Sequence, residues 1–199
     1  AVLSYFIAEG KMSLNDPISK FLPKSFQMPV FEGKEITLGD LATHTSGLPN
    51  LLDSLQDPSR FGSAQMYRFL KNYELKRAPG SKYEHSYLGY ALLANLLGRF
   101  SKNSFSEVLK QLILAPLDLS ETTFSLPYTN KMGYAIGYEK EKGVAPFDNK
   151  KASAIFDGAL GGYSTSDDLL KWLSFNLGKT TTSLNSILPI MQKPYNGVG

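Results

Sequence analysis

Apolar residues recur along this chain at three- and four-residue spacing, which predicts helices that each bury one face. In 63–73 the stripe is Met66, Phe69 and Leu70, and in 87–100 it is Leu88, Leu92, Leu93 and Leu96. Ala1 to Glu9 has the pattern of the closing part of an amphipathic helix, and Gly10 supplies the left-handed stop. A short helix then starts on Asp16 and Pro17, with Asp16 expected to cap it. Thr37 is the expected cap for a helix around Leu41. Ser104-Phe105-Ser106-Glu107 has capping-box spacing and opens a helix to about Leu114, and Thr165 to Asp168 starts another. Alternation of the strand kind is brief. It occurs in 133–138, where Tyr134, Ile136 and Tyr138 alternate, and near 159–163. Polar loops with glycine or proline fill 50–61 and 141–151, and we expect these to be the mobile regions.

Composition narrows the functional classes. With 199 residues, 42% hydrophobic and 20% charged, the chain can bury a sizeable core. A net charge of +3 with scattered basic residues gives no nucleic-acid footprint. The longest apolar run, near Leu92 to Leu97, is broken by Asn95 and is far short of a membrane span, which takes roughly 20 residues. There is no cysteine and there are only two histidines, so we expect neither a disulfide nor a metal site, and no cofactor is called for.

One stretch concentrates polar chemistry at a helix start: Pro79-Gly80-Ser81-Lys82-Tyr83-Glu84-His85-Ser86-Tyr87-Leu88-Gly89-Tyr90. Side chains there sit beside unpaired backbone N–H groups and the positive end of the helix dipole. Together with Thr43-His44-Thr45-Ser46-Gly47-Leu48-Pro49, Glu9 to Pro23, Leu114 to Phe124 and Gly161 to Leu169, it closely resembles the serine β-lactamase and penicillin-binding-protein superfamily, in its class C-like branch. The resemblance runs nearly end to end. It implies a helix-rich α+β fold: the central part of a serine β-lactamase-like fold, a helical domain with part of the α/β sheet domain. It further implies one domain over 1–199, truncated at both ends, with 35–130 approximating the inserted helical region. The activity implied is acyl transfer through an acyl-serine on an amide, ester or lactam, with a small-molecule or peptidyl substrate. The location implied is a bacterial periplasm or envelope. A fold opened at both ends would leave apolar surface uncovered, so self-association is expected.

Members of the family use a Ser-x-x-Lys pair, a Tyr-x-Asn or Ser-x-Asn pair, and a Lys-Thr-Gly or His-x-Gly strand. A serine hydroxyl is a weak nucleophile and needs a base one helical turn away. No serine in this chain has lysine three residues later, and we expect the pair to precede Ala1. Lys179-Thr180-Thr181 lacks the glycine of the third motif, and Gly162-Tyr163-Ser164-Thr165-Ser166 fails Gly-x-Ser-x-Gly at its last residue.

The second motif survives in altered form. Where the family has Tyr-Ser-Asn, this chain reads His85-Ser86-Tyr87. An imidazole titrating near 6.5 is a better base at neutral pH than a phenol near 10, so His85 is the candidate proton carrier, with a plain loop role as the alternative. Tyr87 loses the amide that would bond lysine and substrate and adds bulk; packing on Leu88 or Leu92 is its simpler role. Ser86 completes the candidate set, and its simpler role is to cap the helix. His44 is expected to bond within a structural turn. Asp167 and Asp168 are ordinary first-turn acids rather than a dyad.

Overall fold

The computed structural model describes residues 1–51, 55, 57–124, 135, 137–139, 142–144, 154–160 and 162–195. At its centre is α4 (Tyr87–Phe100), whose stripe is apolar enough to be enclosed on several sides. Leu88, Ala91, Leu92 and Leu96 have no exposed surface. Around α4 pack α2 (Leu38–Ala42), α3 (Ser63–Lys71), α5 (Phe105–Leu109) and α6 (Asp157–Leu160). The approach of α6 depends on Gly158, because a Cβ there would collide with the Ala94 methyl of α4. The first helix, α1 (Val2–Ala8), lies against the 3-10 turn Ser183–Ile187 and α8 (Leu188–Met191). The remaining helix, α7 (Ser166–Asn176), touches the turn Ala115–Leu117.

Among the described residues the sheet content is two antiparallel hairpins, β1 (Val30–Phe31) with β2 (Lys34–Glu35) and β3 (Gly137–Glu139) with β4 (Lys142–Val144). The first pairs Val30 with Glu35 and Phe31 with Lys34 around Glu32 and Gly33, both at positive φ, the twist a two-residue hairpin favours. No helix among the described residues is long and apolar enough to cross a membrane.

Most predicted helices form at or near their expected ends. Gly10 takes φ +67°, and the Lys11 N–H returns to Phe6 O at 2.9 Å, closing α1 as its sequence predicts. Met66 and Leu70 are fully buried on α3, and Thr37 and Asp40 form a complete capping box on α2.

Four expectations change. Asp16 does not cap the 3-10 turn Ile18–Phe21; its carboxylate instead accepts from Ser13 N–H at 2.8 Å and from Lys20 Nζ at 2.8 Å, a charged partner outcompeting the helix end. Ser104 caps α5, but Glu107 does not return the bond, because its carboxylate accepts from Gln111 Nε2 at 2.7 Å one turn on. The helix from Phe105 continues to Leu114 only by widening to a π-helix over Lys110–Leu114, then tightens over Ala115–Leu117 around Pro116, which has no N–H to give. Near 159–163 the chain is helical through Leu160, and among the described residues there only Tyr163 pairs in extended form, exchanging two backbone bonds with Thr123. The strand expected over 133–138 begins at Gly137 within what is described, and residues 133, 134 and 136 lie outside it. Most of the loop at 141–151, and residues 52–54 and 56 of the other, are likewise outside the described residues.

Candidate active site

The N-terminus of α4 meets the loop that follows α2, and the two are laced by backbone. Gly80 N–H donates to Thr45 O at 2.9 Å and Glu84 N–H to His44 O at 2.8 Å. The loop turns back on itself because His44 and Gly47 both take left-handed φ, +56° and +78°. For histidine that conformation is uncommon, and its surroundings hold it there. Thr45 and Ser46, both fully buried, and the Asp40 carboxylate accepting from Thr45 Oγ1 at 3.2 Å secure the loop's inner side.

Ser86 is the junction. Its Oγ accepts from Gly89 N–H at 2.9 Å, capping α4, and donates to Pro49 O at 2.9 Å, while its own N–H donates to His44 Nδ1 at 3.1 Å. With no exposed surface and its proton given to a carbonyl, the hydroxyl is committed to structure. Tyr87 N–H reaches Asn50 Oδ1 at 3.4 Å, so both residues after His85 are tied to the same upstream loop.

His85 itself is exposed. Its ring lies 4.5 Å from the His44 ring at 34°, and the Tyr87 ring meets it edge-on at 4.7 Å and 85°. His44 also stacks on Tyr90 at 4.4 Å and 16°, and Tyr83 meets it edge-on at 5.9 Å. Tyr90 is fixed in turn by donating to Ala42 O at 2.9 Å, and burial pushes its phenol up. Burial, and then the charge of a neighbouring His85, hold the His44 imidazole below its ordinary range. Beside this row of rings, Arg77 pairs with Glu84 at 2.6 Å.

The structure therefore brings His85, Ser86 and Tyr87 to one place, with His85 outward, Ser86 inward and Tyr87 half-buried between them. It also brings Tyr90 and His44, each from a stretch the sequence singled out, into contact with the motif, and adds Asn50, which the sequence did not connect to it. The adjacency of Asn50 to the Thr43–Pro49 string was the available signal.

Chemically, an exposed imidazole packed against rings can take a proton from one group and return it to another. Among the described residues no group of three or more histidine, cysteine or acidic side chains is placed to hold a metal.

The family model described as Beta-lactamase matches residues 1–194. The chain belongs to the Beta-lactamase family. Among its relatives are a D-alanyl-D-alanine-carboxypeptidase/endopeptidase of Escherichia coli K12, 31% identical over 86% of this chain and 44% of that protein, and a Staphylococcus aureus protein called flp, 29% identical over 85% and 34%. The solved structure of a class C β-lactamase has the same fold, with a TM-score of 0.76 at 23% identity over 94% of this chain and 49% of that one. A β-lactamase/D-alanine carboxypeptidase from Yersinia pestis, complexed with citrate, superposes with a TM-score of 0.74 at 22% identity over 98% and 55%. The chain thus carries a helix-rich part of the α+β serine β-lactamase fold, in its class C-like form, and spans about half the length, or less, of these Beta-lactamase relatives.

Proposed function

We propose that the full protein is a serine hydrolase of the β-lactamase, DD-peptidase or esterase type, which transfers the acyl group of an amide, ester or lactam to a serine, with His85 carrying the proton. The observation that carries this reading is an exposed imidazole at the family's tyrosine position, on a helix start braced by Ser86. In the reaction, the seryl oxygen bonds the carbonyl carbon, its proton passes to the His85 ring, and the ring returns a proton to the departing nitrogen or oxygen as that bond breaks. The Ser-x-x-Lys pair and the third motif are absent from these 199 residues, and other parts of the full protein would supply them.

His85→Ala in the full-length protein should lower acylation by nitrocefin or an activated ester by about 10²- to 10⁴-fold. An unchanged rate removes His85 from the mechanism. The 199 residues alone should be nearly inactive, since losing the nucleophile of a serine enzyme costs about 10⁶ in turnover.

The second reading is a non-catalytic relative that keeps the fold as a scaffold or binding protein, favoured by the substitutions at both His85 and Tyr87. Sequencing upstream of Ala1 discriminates the two, because only a hydrolase needs Ser-x-x-Lys there.

The isolated 199-residue chain is also proposed to self-associate. Leu169, Leu170, Leu173 and Leu177 are each more than half exposed and form one stripe along α7, a helix face that water does not favour. Light scattering of that chain should show a mass above one copy, and a clean monomer at high concentration counts against this.

A further inference from the structure

We propose that His44 is a positioning residue for His85: as the neutral tautomer protonated on Nε2, it fixes both the ring face and the backbone that hold the outward imidazole. The inference rests on the reading of His85 as the proton carrier. Three observations converge on His44. Its Nδ1 faces the N–H of Ser86 at 3.1 Å, and an N–H can donate only to an unprotonated nitrogen, which leaves the neutral ring's proton on Nε2. Its ring packs on two others, stacked on Tyr90 at 4.4 Å and tilted against His85 at 4.5 Å, so its plane limits where the His85 ring can lie. Its backbone is held at φ +56° with its carbonyl bonded to Glu84 N–H, the residue before His85.

These contacts make the two imidazoles unequal although their rings touch. Protonating His44 on Nδ1 would set two N–H groups against each other at a half-buried junction, so His44 resists charge. The groups facing His44 are the rings of Tyr83, His85 and Tyr90, and the nearby Arg77–Glu84 pair is already matched in charge. No carboxylate is needed to keep His44 neutral.

Two independent measurements test this. The 199-residue chain has only two histidines, so its imidazole nitrogen spectrum can be assigned without ambiguity. From pH 8 to pH 5, His44 should hold the Nε2-protonated neutral pattern. An Nδ1-protonated His44, or one that becomes doubly protonated within this range, overturns the proposal.

In the full-length protein, His44→Ala should lower kcat for acylation about ten- to hundredfold and move the acid limb of the pH profile, through misplacement of His85. His44→Asn restores an acceptor in the place of Nδ1 and suits the left-handed backbone, so it should recover most of that loss. Wild-type kinetics with His44→Ala, or an Asn variant as impaired as the Ala variant, overturns it. If the wild-type full-length protein transfers no acyl group, the proposed function fails, while the nitrogen spectra of this chain still decide the tautomer and charge of His44.

Discussion

The starts of α4 and α7 are built alike, yet they end in different environments. In each a hydroxyl accepts from the N–H three residues on, Ser86 Oγ from Gly89 at 2.9 Å and Thr165 Oγ1 from Asp168 at 3.3 Å. Each is also tied to a distant loop. At α4 the tie is neutral: Ser86 reaches Pro49 O and His44 Nδ1, 37 and 42 residues back. At α7 it is charged: the Asp168 carboxylate, 3% exposed, accepts from Glu121 N–H at 3.0 Å and Thr122 Oγ1 at 2.7 Å. A carboxylate at the α4 start would favour the imidazolium form of any nearby histidine. The neutral tie brings no such charge to His85, the proposed proton carrier. The charged tie serves where no such group is present, under a helix whose outer face is leucine.

The charged junction should be the more costly to break. Asp168→Ala strands two donors that had a charged acceptor, and the expected loss is about 3 kcal/mol in chemical denaturation, with the His85 resonances unmoved. A loss below about 1 kcal/mol would mean water replaces the carboxylate easily. Ser86→Ala should cost less, about 2 kcal/mol, from a lost cap and an unpaired Pro49 carbonyl. It should also shift the His85 resonances, because it loosens the turn that carries the ring. If Ser86→Ala leaves them in place while Asp168→Ala moves them, the division between the two junctions is wrong.

What the sequence showed and what it hid follow the range of the interactions. Ser86, Thr37, Thr165 and Ser104 were all legible as caps because a cap and its N–H lie within four residues. The stripe of α4 was legible because its period alone sets the buried face. Asp16 and Glu107 were misjudged in detail because local side chains, Lys20 and Gln111, compete for the same oxygens and spacing cannot rank the competitors. At the site, the altered motif identified His85, Ser86 and Tyr87 as a group. The packing of His44 on Tyr90 and His85 could not be read there, since it depends on a left-handed backbone at a non-glycine residue and on contacts across some forty positions. The helix Asp157–Leu160 was hidden for a similar reason: its place depends on Gly158 fitting against Ala94.

That helix supplies the smallest expected effect, opposite in sign to the other two. Asp157 is half-buried, and burial pushes its carboxyl up to about 6 from an ordinary 3.8. The folded protein therefore holds this proton more tightly than the unfolded chain does. The stability contributed by the protonated form is complete below the unfolded value and is lost as pH rises through 6. At neutral pH the charged carboxylate weakens the fold. A shift of this size corresponds to roughly 3 kcal/mol in full, which water reaching half the side chain reduces to about 1 kcal/mol. Asp157→Asn keeps the shape without the charge, so it should stabilise the chain by about 1 kcal/mol at pH 7.5 and by almost nothing below pH 4. Urea midpoints at the two pH values measure the difference. An equal gain at both would trace the effect to packing rather than charge, and α6 would then resemble the neutral junction at α4 instead of the strained acid site its burial describes.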